Sequence, residues 1–141
     1  MTPTPAVTPV PEAPARSLYP CVRYTDAPAA IDWLVDVLGF SVHARYDGPA
    51  GTVAHAELVH SGGMLMLGSA KDDDRFTAAD AHTPSAACVY LAVDDPAPLF
   101  ARVRAAGWAV LSELAEQDHG GTEFDCRDPG GVFWGVGSYR P

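Results

Sequence analysis

Two stretches of the chain decide the fold: residues 24–40, YTDAPAAIDWLVDVLGF, and residues 93–108, VDDPAPLFARVRAAGW. In the first stretch Asp26 stands at an N-cap position, apolar residues recur at helical spacing, and Gly39 ends the helix. In the second stretch Asp95 opens a similar pattern, and a glycine again closes it. The two stretches therefore predict one amphipathic helix in each half of the chain.

Segments with the character of β-strands surround each predicted helix in the same order. One precedes the helix and three follow it, and a polar stretch at 70–85 separates the two groups. Glycine, proline and aspartate mark turns at 47–49, 62–63 and 128–131. The aspartates in 70–85 lack the glycine and the terminal glutamate of a calcium loop, so this stretch is predicted to be a solvated linker.

The two groups of elements repeat one another at a nearly constant offset. Their shared landmarks lie 69 residues apart, namely Thr25-Asp26 with Asp94-Asp95 and Leu67-Gly68-Ser69 with Val136-Gly137-Ser138. A shared offset indicates a duplicated unit. The sequence therefore predicts one α+β domain over 18–141, in which two tandem βαβββ modules (18–69 and 86–139) form a curved mixed sheet around a cleft, with both helices outside.

Composition narrows the classes of function. The 141 residues include 9 Lys and Arg against 18 Asp and Glu, and the formal charge of -9 repels nucleic acids and anionic membranes. Residues 1–17 are rich in proline, alanine and threonine, which predicts a disordered tail. Three cysteines without a CxxC pair, no apolar run of about 18 residues and no signal-peptide pattern predict a cytoplasmic protein with no membrane partner.

Several motifs, taken in order, resemble those of the vicinal oxygen chelate superfamily, which includes glyoxalases, bleomycin-resistance proteins and extradiol dioxygenases. Besides the two helical stretches they are HAEL at 55–58, GGMLMLGS at 62–69 and EFDCRDPGGVFWGVGSYRP at 123–141. The resemblance implies a glyoxalase/bleomycin-resistance-like fold whose cleft holds a small-molecule ligand. It also implies a homodimer, in which the partner or exchanged halves complete the cleft. It leaves the chemistry open, because one scaffold hosts many activities.

The enzymes of that superfamily place His or Glu at one inward position on each of four strands, where they hold a divalent metal. The resemblance puts these positions at Tyr19, Met66, Cys88 and Gly135. A phenol, a thioether, a thiol and a glycine do not form the usual nitrogen and oxygen site of nickel, zinc or iron. The resemblance, followed residue by residue, therefore implies neither a metal nor another cofactor.

Strand alternation indicates which other side chains face the cleft. Residues two positions away share the face of the four metal positions: Cys21, Arg23, Met64, Tyr90 and Phe133. His55 and Glu57 alternate with apolar residues, so they either point into the cleft or form a polar pair near the sheet surface. Arg23 is expected to pair with an acidic ligand group or with Glu57. His119, in the loop before the seventh strand, is a further candidate for ligand contact.

An aromatic and sulfur-rich pocket without a metal set favours a binding protein that sequesters an aromatic or cationic drug-like compound, similar to the antibiotic-resistance branch of the superfamily. Two enzymatic alternatives stay open. One is a metal-dependent lyase or dioxygenase with displaced ligands, and the other is a metal-free isomerase or cyclase of secondary metabolism. In both, His55 and Glu57 are the candidate ligands or acid-base pair. Cys88 is interpreted as part of the pocket wall.

Overall fold

The computed structural model describes residues 16–141, so the predicted tail at 1–17 lies almost wholly outside the described residues. The strands and α-helices of this part follow in the predicted order: β1 (Cys21–Tyr24), α1 (Ala27–Trp33), β2 (Ser41–Asp47), β3 (Val53–His60), β4 (Gly63–Ser69), β5 (Val89–Ala92), α2 (Ala97–Ala105), β6 (Val110–Glu116), β7 (Thr122–Arg127) and β8 (Phe133–Gly137). The α+β class and the two βαβββ element orders are confirmed.

The strands form two four-stranded mixed sheets. Sheet A has the order β1-β4-β3-β2, and sheet B has the order β5-β8-β7-β6. In each sheet the first strand of the module runs parallel to the last, and the other neighbours are antiparallel. The register pairs Cys21 with Met66 in sheet A and Tyr90 with Gly135 in sheet B. These pairs are again 69 residues apart, so the two sheets correspond strand by strand.

One side-chain hydrogen bond recurs in both modules. The Oγ of Ser69 accepts from the Val53 N–H at 2.8 Å, and the Oγ of Ser138 accepts from the Thr122 N–H at 3.0 Å. Each serine ties the end of its module's last strand to the start of the preceding strand in the chain. The Gly-Ser landmark of the sequence repeat therefore has the same structural role in both modules.

The helix ends follow the local signals in the sequence. Asp26 and Asp95 each accept, through a side-chain oxygen, a bond of 3.1 Å from a backbone N–H of the first turn that follows. A π-helical turn over 34–38 extends α1 to Gly39. Gly39 and Gly107 have φ angles of +87° and +74°, a region that favours glycine, and they end the two helical segments.

The helix-side faces of both sheets contribute to one hydrophobic core. Phe40 packs edge-to-face on Trp134 of β8, with ring centroids 5.5 Å apart. The buried carboxylate of Asp128 accepts hydrogen bonds from the hydroxyl of Tyr24 in sheet A and from Nε1 of Trp134 in sheet B. Burial raises the pKa of Asp128, although these bonds favour its charged form. The two modules are therefore joined through a shared polar group inside the core.

The two helical segments also contact each other. Arg102 of α2 donates from Nε to the carbonyl of Val37, in the π-turn, at 2.8 Å. The sequence predicted one curved mixed sheet with both helices outside, and the strands are hydrogen-bonded as two four-stranded sheets. The helix-side faces of both sheets share one core, so each sheet has one face turned away from the helices.

These outward faces, here called the open faces, carry half-buried and exposed side chains. On sheet A they include Cys21, His55, Glu57, Met64 and Met66, and on sheet B Tyr90, Glu123, Asp125 and Phe133. The alternation of each strand produces this division, because neighbouring residues point to opposite sides of a sheet. Within residues 16–141, none of the helices has the length and apolar character needed to cross a membrane.

Candidate functional site

A cavity of about 890 Å³ lies between β1 and β5, where the two modules meet. The segment 76–87 between the modules forms much of its wall. Side chains able to contact a ligand there are Cys21, Arg23, Phe76, Cys88 and Tyr90. A volume of this size accommodates a drug-sized molecule. We call this space the junction cavity.

The residues predicted to contact a ligand fall into three groups. The junction cavity brings together Cys21, Arg23, Cys88 and Tyr90. The open faces carry a second group: His55, Glu57, Met64, Met66, Phe133 and Gly135. Tyr19 and His119 lie in exposed segments outside the strands, and the Tyr19 hydroxyl donates to the Arg16 carbonyl at 3.0 Å. The structure therefore gathers part of the predicted set in one cavity and spreads the rest along both sheets.

Arg23 is held by the segment that the sequence treats as a solvated linker. Its guanidinium bonds both carboxylate oxygens of Asp73, at 2.7 and 3.0 Å, and donates to the Phe76 carbonyl at 2.6 Å. The Phe76 ring packs on the guanidinium, with 4.0 Å from its centroid to Cζ. The pairing lowers the pKa of Asp73 to about 2. The predicted pair between Arg23 and Glu57 is therefore wrong, because the linker folds back along β1 and neutralises the guanidinium.

His55 and Glu57 form a polar pair on the open face of sheet A. The Nε2 of His55 lies 2.9 Å from one carboxylate oxygen of Glu57, and the Nε2 of His43 lies 3.9 Å from the other. The ring of Tyr46 stacks on His55 at a centroid distance of 6.2 Å. The register places Glu57 opposite Met66. The two side chains therefore bond each other on the open face of sheet A, and their contact with a ligand stays a prediction.

The corresponding place on sheet B carries two carboxylates. Glu123 and Asp125 follow His55 and Glu57 at an offset of 68 residues. They converge over Gly135, where an added Cβ would lie 3.3 Å from Asp125 Oδ1 and 3.4 Å from Glu123 Oε2. Burial and the neighbouring charge of Asp125 raise the pKa of Glu123. The sequence interpretation missed this pair, although TEFD at 122–125 repeats the alternation of AHAE.

Tyr90 lies against the glycines of β8 on the same open face. A Cβ added to Gly135 would lie 3.3 Å from the Tyr90 ring, and one added to Gly137 would lie 2.8 Å from its hydroxyl oxygen. That hydroxyl donates to the Tyr139 carbonyl at 2.7 Å, which fixes the ring. Burial and the charge of Glu123 raise the pKa of Tyr90. The glycines therefore make room for an aromatic wall beside the carboxylates.

His119 lies in the loop between β6 and β7. Its Nε2 is 3.9 Å from Glu123 Oε1, and its ring packs edge-to-face on Tyr139 at 4.9 Å between centroids. The sequence predicted a ligand-contacting loop at the mouth of a cleft. The structure places this loop beside the carboxylates of sheet B, so the imidazole lies close to the carboxylate of Glu123.

The positions that the resemblance assigns to a metal do not fit one. Gly135 has no donor atom, and the Tyr90 ring and the Asp125 carboxylate border the space where a ligating side chain would begin. Met66 supplies only a soft thioether. Across the part of the chain that the structure describes, three or more His, Cys, Asp or Glu side chains do not come together as a metal site requires. Within residues 16–141, the four positions that the resemblance assigns therefore do not fit the metal of the superfamily's enzymes.

Two corresponding βαβββ modules and a shared core define a duplicated α+β fold, with a cavity of about 890 Å³ at the junction of the modules. A family model described as the Glyoxalase/Bleomycin resistance protein/Dioxygenase superfamily matches residues 16–136. The chain belongs to this superfamily. The resemblance seen in the sequence motifs is thereby confirmed.

Known relatives and solved structures agree with this placement. TioX from Micromonospora sp. ML1 is 30% identical, covers 89% of this chain and 99% of its own, and has a TM-score of 0.70. TnmS3, an antibiotic binding protein from Streptomyces sp. CB03234, is 21% identical over 89% and 97% of the two chains, with a TM-score of 0.65. Rv0887c of Mycobacterium tuberculosis is 29% identical over 126 residues, which are 86% of this chain and 73% of that protein.

Proposed function

We propose that this protein binds and sequesters a small aromatic compound that carries a positive charge. The observation that carries the proposal is the placement of the Tyr90 ring, which lines the junction cavity, beside the carboxylates of Glu123 and Asp125 around Gly135 on the open face of sheet B. An aromatic wall stabilises a planar ligand by stacking, and an adjacent carboxylate neutralises its charge. Together they match an aromatic cation of drug size.

Glu123 supplies the electrostatic part of this recognition. Its pKa is raised because burial and the charge of Asp125 disfavour the ionised form. A bound cation relieves that repulsion, so it favours the ionised carboxylate and releases a proton where Glu123 titrates. The net charge of -9 also attracts cations to the molecule over a longer range. A neutral ligand of the same shape gains the stacking alone.

Binding without turnover is supported by the donor set and by the fold. The positions that would hold a catalytic metal contain a glycine and a thioether, and His55 and Glu57 are hydrogen-bonded to each other. TnmS3, which shares the fold, is an antibiotic binding protein. We infer the same kind of activity for this chain, with the ligand left chemically unchanged.

Calorimetric titration with a panel of bleomycin-like, phenazine-like and polyketide compounds, each in cationic and neutral forms, tests the proposal. We expect at least one cationic compound to bind and to be recovered unchanged after long incubation. Glu123→Gln should weaken that binding about tenfold, which is about 1.4 kcal/mol, and leave neutral analogues unaffected. The matched control is Glu113→Gln, since Glu113 is an exposed glutamate paired with Arg104. No binding across the panel, or release of a chemically changed ligand, would contradict the proposal.

We also infer that a second copy of the chain covers the open face of sheet A. Met64 and Met66 are half-buried apolar side chains on a face that no helix of its own module covers. Closed dimers in which the same surfaces of two copies meet are the commonest way to cover such a face. Sedimentation should give about twice the monomer mass, and a single species at 14.9 kDa would contradict this inference.

We infer a cytoplasmic location from the state of the cysteines. Cys21 and Cys88 are free and exposed to solvent, and Cys126 is free and buried. Exposed free thiols persist in a reducing compartment and are oxidised elsewhere. Fractionation of cells that produce the full chain should recover it with the cytoplasmic markers, and recovery with exported proteins would contradict the inference.

A further inference from the structure

The junction cavity collects two thiols that solvent can reach. Cys21 begins β1, Cys88 immediately precedes β5, and both are exposed and line the cavity. They come from different modules, 67 positions apart in the chain. The third cysteine, Cys126, is buried on the helix side of β7, where burial raises the pKa of its thiol to about 12. The chain therefore contains two candidate nucleophiles and one unreactive internal reference.

We propose that the junction cavity captures electrophilic aromatic compounds covalently, through the thiol of Cys21 or Cys88. This inference rests on the proposed function of the cavity as a ligand site and extends it from reversible binding to trapping. The chemical class of ligand is a planar α,β-unsaturated carbonyl compound. Such a compound reacts with a thiol faster when it is held beside the thiol than it does in free solution.

The capture step is an addition in which atoms and electrons balance. The thiolate sulfur forms a bond to the electron-poor carbon of the double bond, and the carbon–carbon π bond breaks. Its electron pair moves onto the carbonyl oxygen as an enolate, and the proton that left the thiol ends on the neighbouring carbon. The product is the sum of the thiol and the ligand, so the step needs neither an oxidant nor a reductant.

Two features of the cavity favour this addition. The thiols of Cys21 and Cys88 line the same cavity, so a ligand held there lies beside a nucleophile. The rings of Phe76 and Tyr90 also line the cavity and offer stacking surfaces to a planar electrophile. The thiols and the aromatic walls thus belong to one space.

N-phenylmaleimide and N-methylmaleimide provide a direct test, because they share the reactive group and differ in the aromatic ring. We expect peptide mapping to find adducts at Cys21 or Cys88 and none at Cys126. With N-phenylmaleimide the labelling rate should saturate with concentration. For each reagent, the rate of labelling of the cavity thiols is divided by the rate of its reaction with glutathione. This quotient should be about tenfold higher for N-phenylmaleimide than for N-methylmaleimide. Linear kinetics with equal ratios would overturn the inference, because they describe thiols that are merely exposed.

Serine variants separate this inference from the reversible binding on which it rests. The double variant Cys21→Ser/Cys88→Ser should lose labelling and still bind the cationic aromatic ligand in calorimetry, with an unchanged circular dichroism spectrum. If the original chain binds that ligand but its labelling does not saturate, only the covalent capture fails. If labelling saturates while no cationic ligand binds, the capture stands and the proposed preference for cations fails.

Discussion

The open face of sheet A pairs a base with an acid, whereas the corresponding place on sheet B pairs two acids. His55 and Glu57 bond each other at 2.9 Å, so the carboxylate of sheet A has a partner on its own strand. Burial and the charge of Asp125 raise the pKa of Glu123. The same backbone position therefore holds an imidazole and a carboxylate in one module and two carboxylates in the other. The two modules thus share a backbone arrangement and differ in the chemistry of their open faces.

The residues that the strand register aligns across each sheet also differ between the modules. In sheet A the register aligns Cys21, Met66 and Glu57, so side chains fill the row. In sheet B the position of Met66 is taken by Gly135, and the ring of Tyr90 lies against it. A missing side chain thus opens space for an aromatic wall. Sheet B is for this reason the sheet that we assign to ligand recognition.

The substitution expected to weaken ligand binding most replaces Gly135 of sheet B by methionine, the residue at the corresponding position of sheet A. Gly135→Met places a side chain where the Tyr90 ring and the Asp125 carboxylate already lie within 3.3 Å of a Cβ. We expect affinity for a cationic aromatic ligand to fall more than 100-fold, about 2.7 kcal/mol, and stability to fall by about 1–3 kcal/mol from overpacking. Calorimetry and urea denaturation measure the two effects.

The control for this substitution is Gly63→Met, at the start of β4. An added Cβ there meets only the His60 carbonyl oxygen, at an ordinary 3.5 Å. Ligand affinity should stay within about twofold of the original chain. If both variants bind equally well, Tyr90 and Gly135 do not shape the ligand site, and the assignment to sheet B is wrong.

The sequence predicts the helix ends and the strand faces of this molecule well because the signals for them are local. Asp26 and Gly39 mark helix ends by backbone chemistry, and strand alternation assigns His55 and Glu57 to an open face. The contact between Arg23 and Asp73 joins residues 50 positions apart through a linker without periodicity, so no sequence pattern predicts it.

The arrangement of carboxylates and an aromatic ring on sheet B is the part that the sequence does not predict. Gly135 read alone indicates a lost metal ligand, whereas in the structure it is the space beside a ring. Glu123 and Asp125 repeat the alternation of sheet A, but at an offset of 68 rather than the 69 of the landmarks. Irregularities of register in the β6–β7 pair accompany this shift. Comparing the modules strand by strand, rather than by landmark, would have found the acidic pair.

A second difference between the modules lies at Arg23, whose counterpart in β5 is Ala92. Asp73 neutralises this buried guanidinium, and its pKa of about 2 is below the ordinary value. A carboxyl group whose pKa is lowered in the folded state adds stability at pH values above its pKa in the unfolded state. This stability is lost as the pH falls toward 2. Asp73→Asn should therefore lower stability at pH 7 and change it little at pH 2. Urea denaturation at the two pH values measures the change, and an equal cost at both would contradict an ionic origin.

Two reciprocal substitutions exchange the chemistry of the two pairs. Glu123→His gives sheet B an imidazole and a carboxylate like those of sheet A, so the repulsion between Glu123 and Asp125 is removed. Affinity for a cationic aromatic ligand should fall about tenfold, while that for its neutral analogue should not change. The reciprocal His55→Glu should leave ligand affinity unchanged and lower stability at pH 7 by about 0.5–1 kcal/mol through like-charge repulsion. If the reciprocal change weakens ligand binding as much, both sheets contact the ligand.

The smallest expected effect isolates Glu123 in the free protein. Its pKa is raised by burial and by Asp125, so the folded state binds its proton more tightly than the unfolded state does. The sign follows from linkage: this contribution to stability is fully present below the unfolded pKa and is lost as pH rises through the folded pKa. Glu123→Gln removes the loss, so the variant should be more stable than the original chain at pH 7 by about 0.5 kcal/mol and equal to it near pH 3. Parallel urea denaturation at both pH values measures the difference. A variant that is less stable at pH 7 would mean that the ionised carboxylate has a favourable partner, and His119, 3.9 Å away, is the group to replace next.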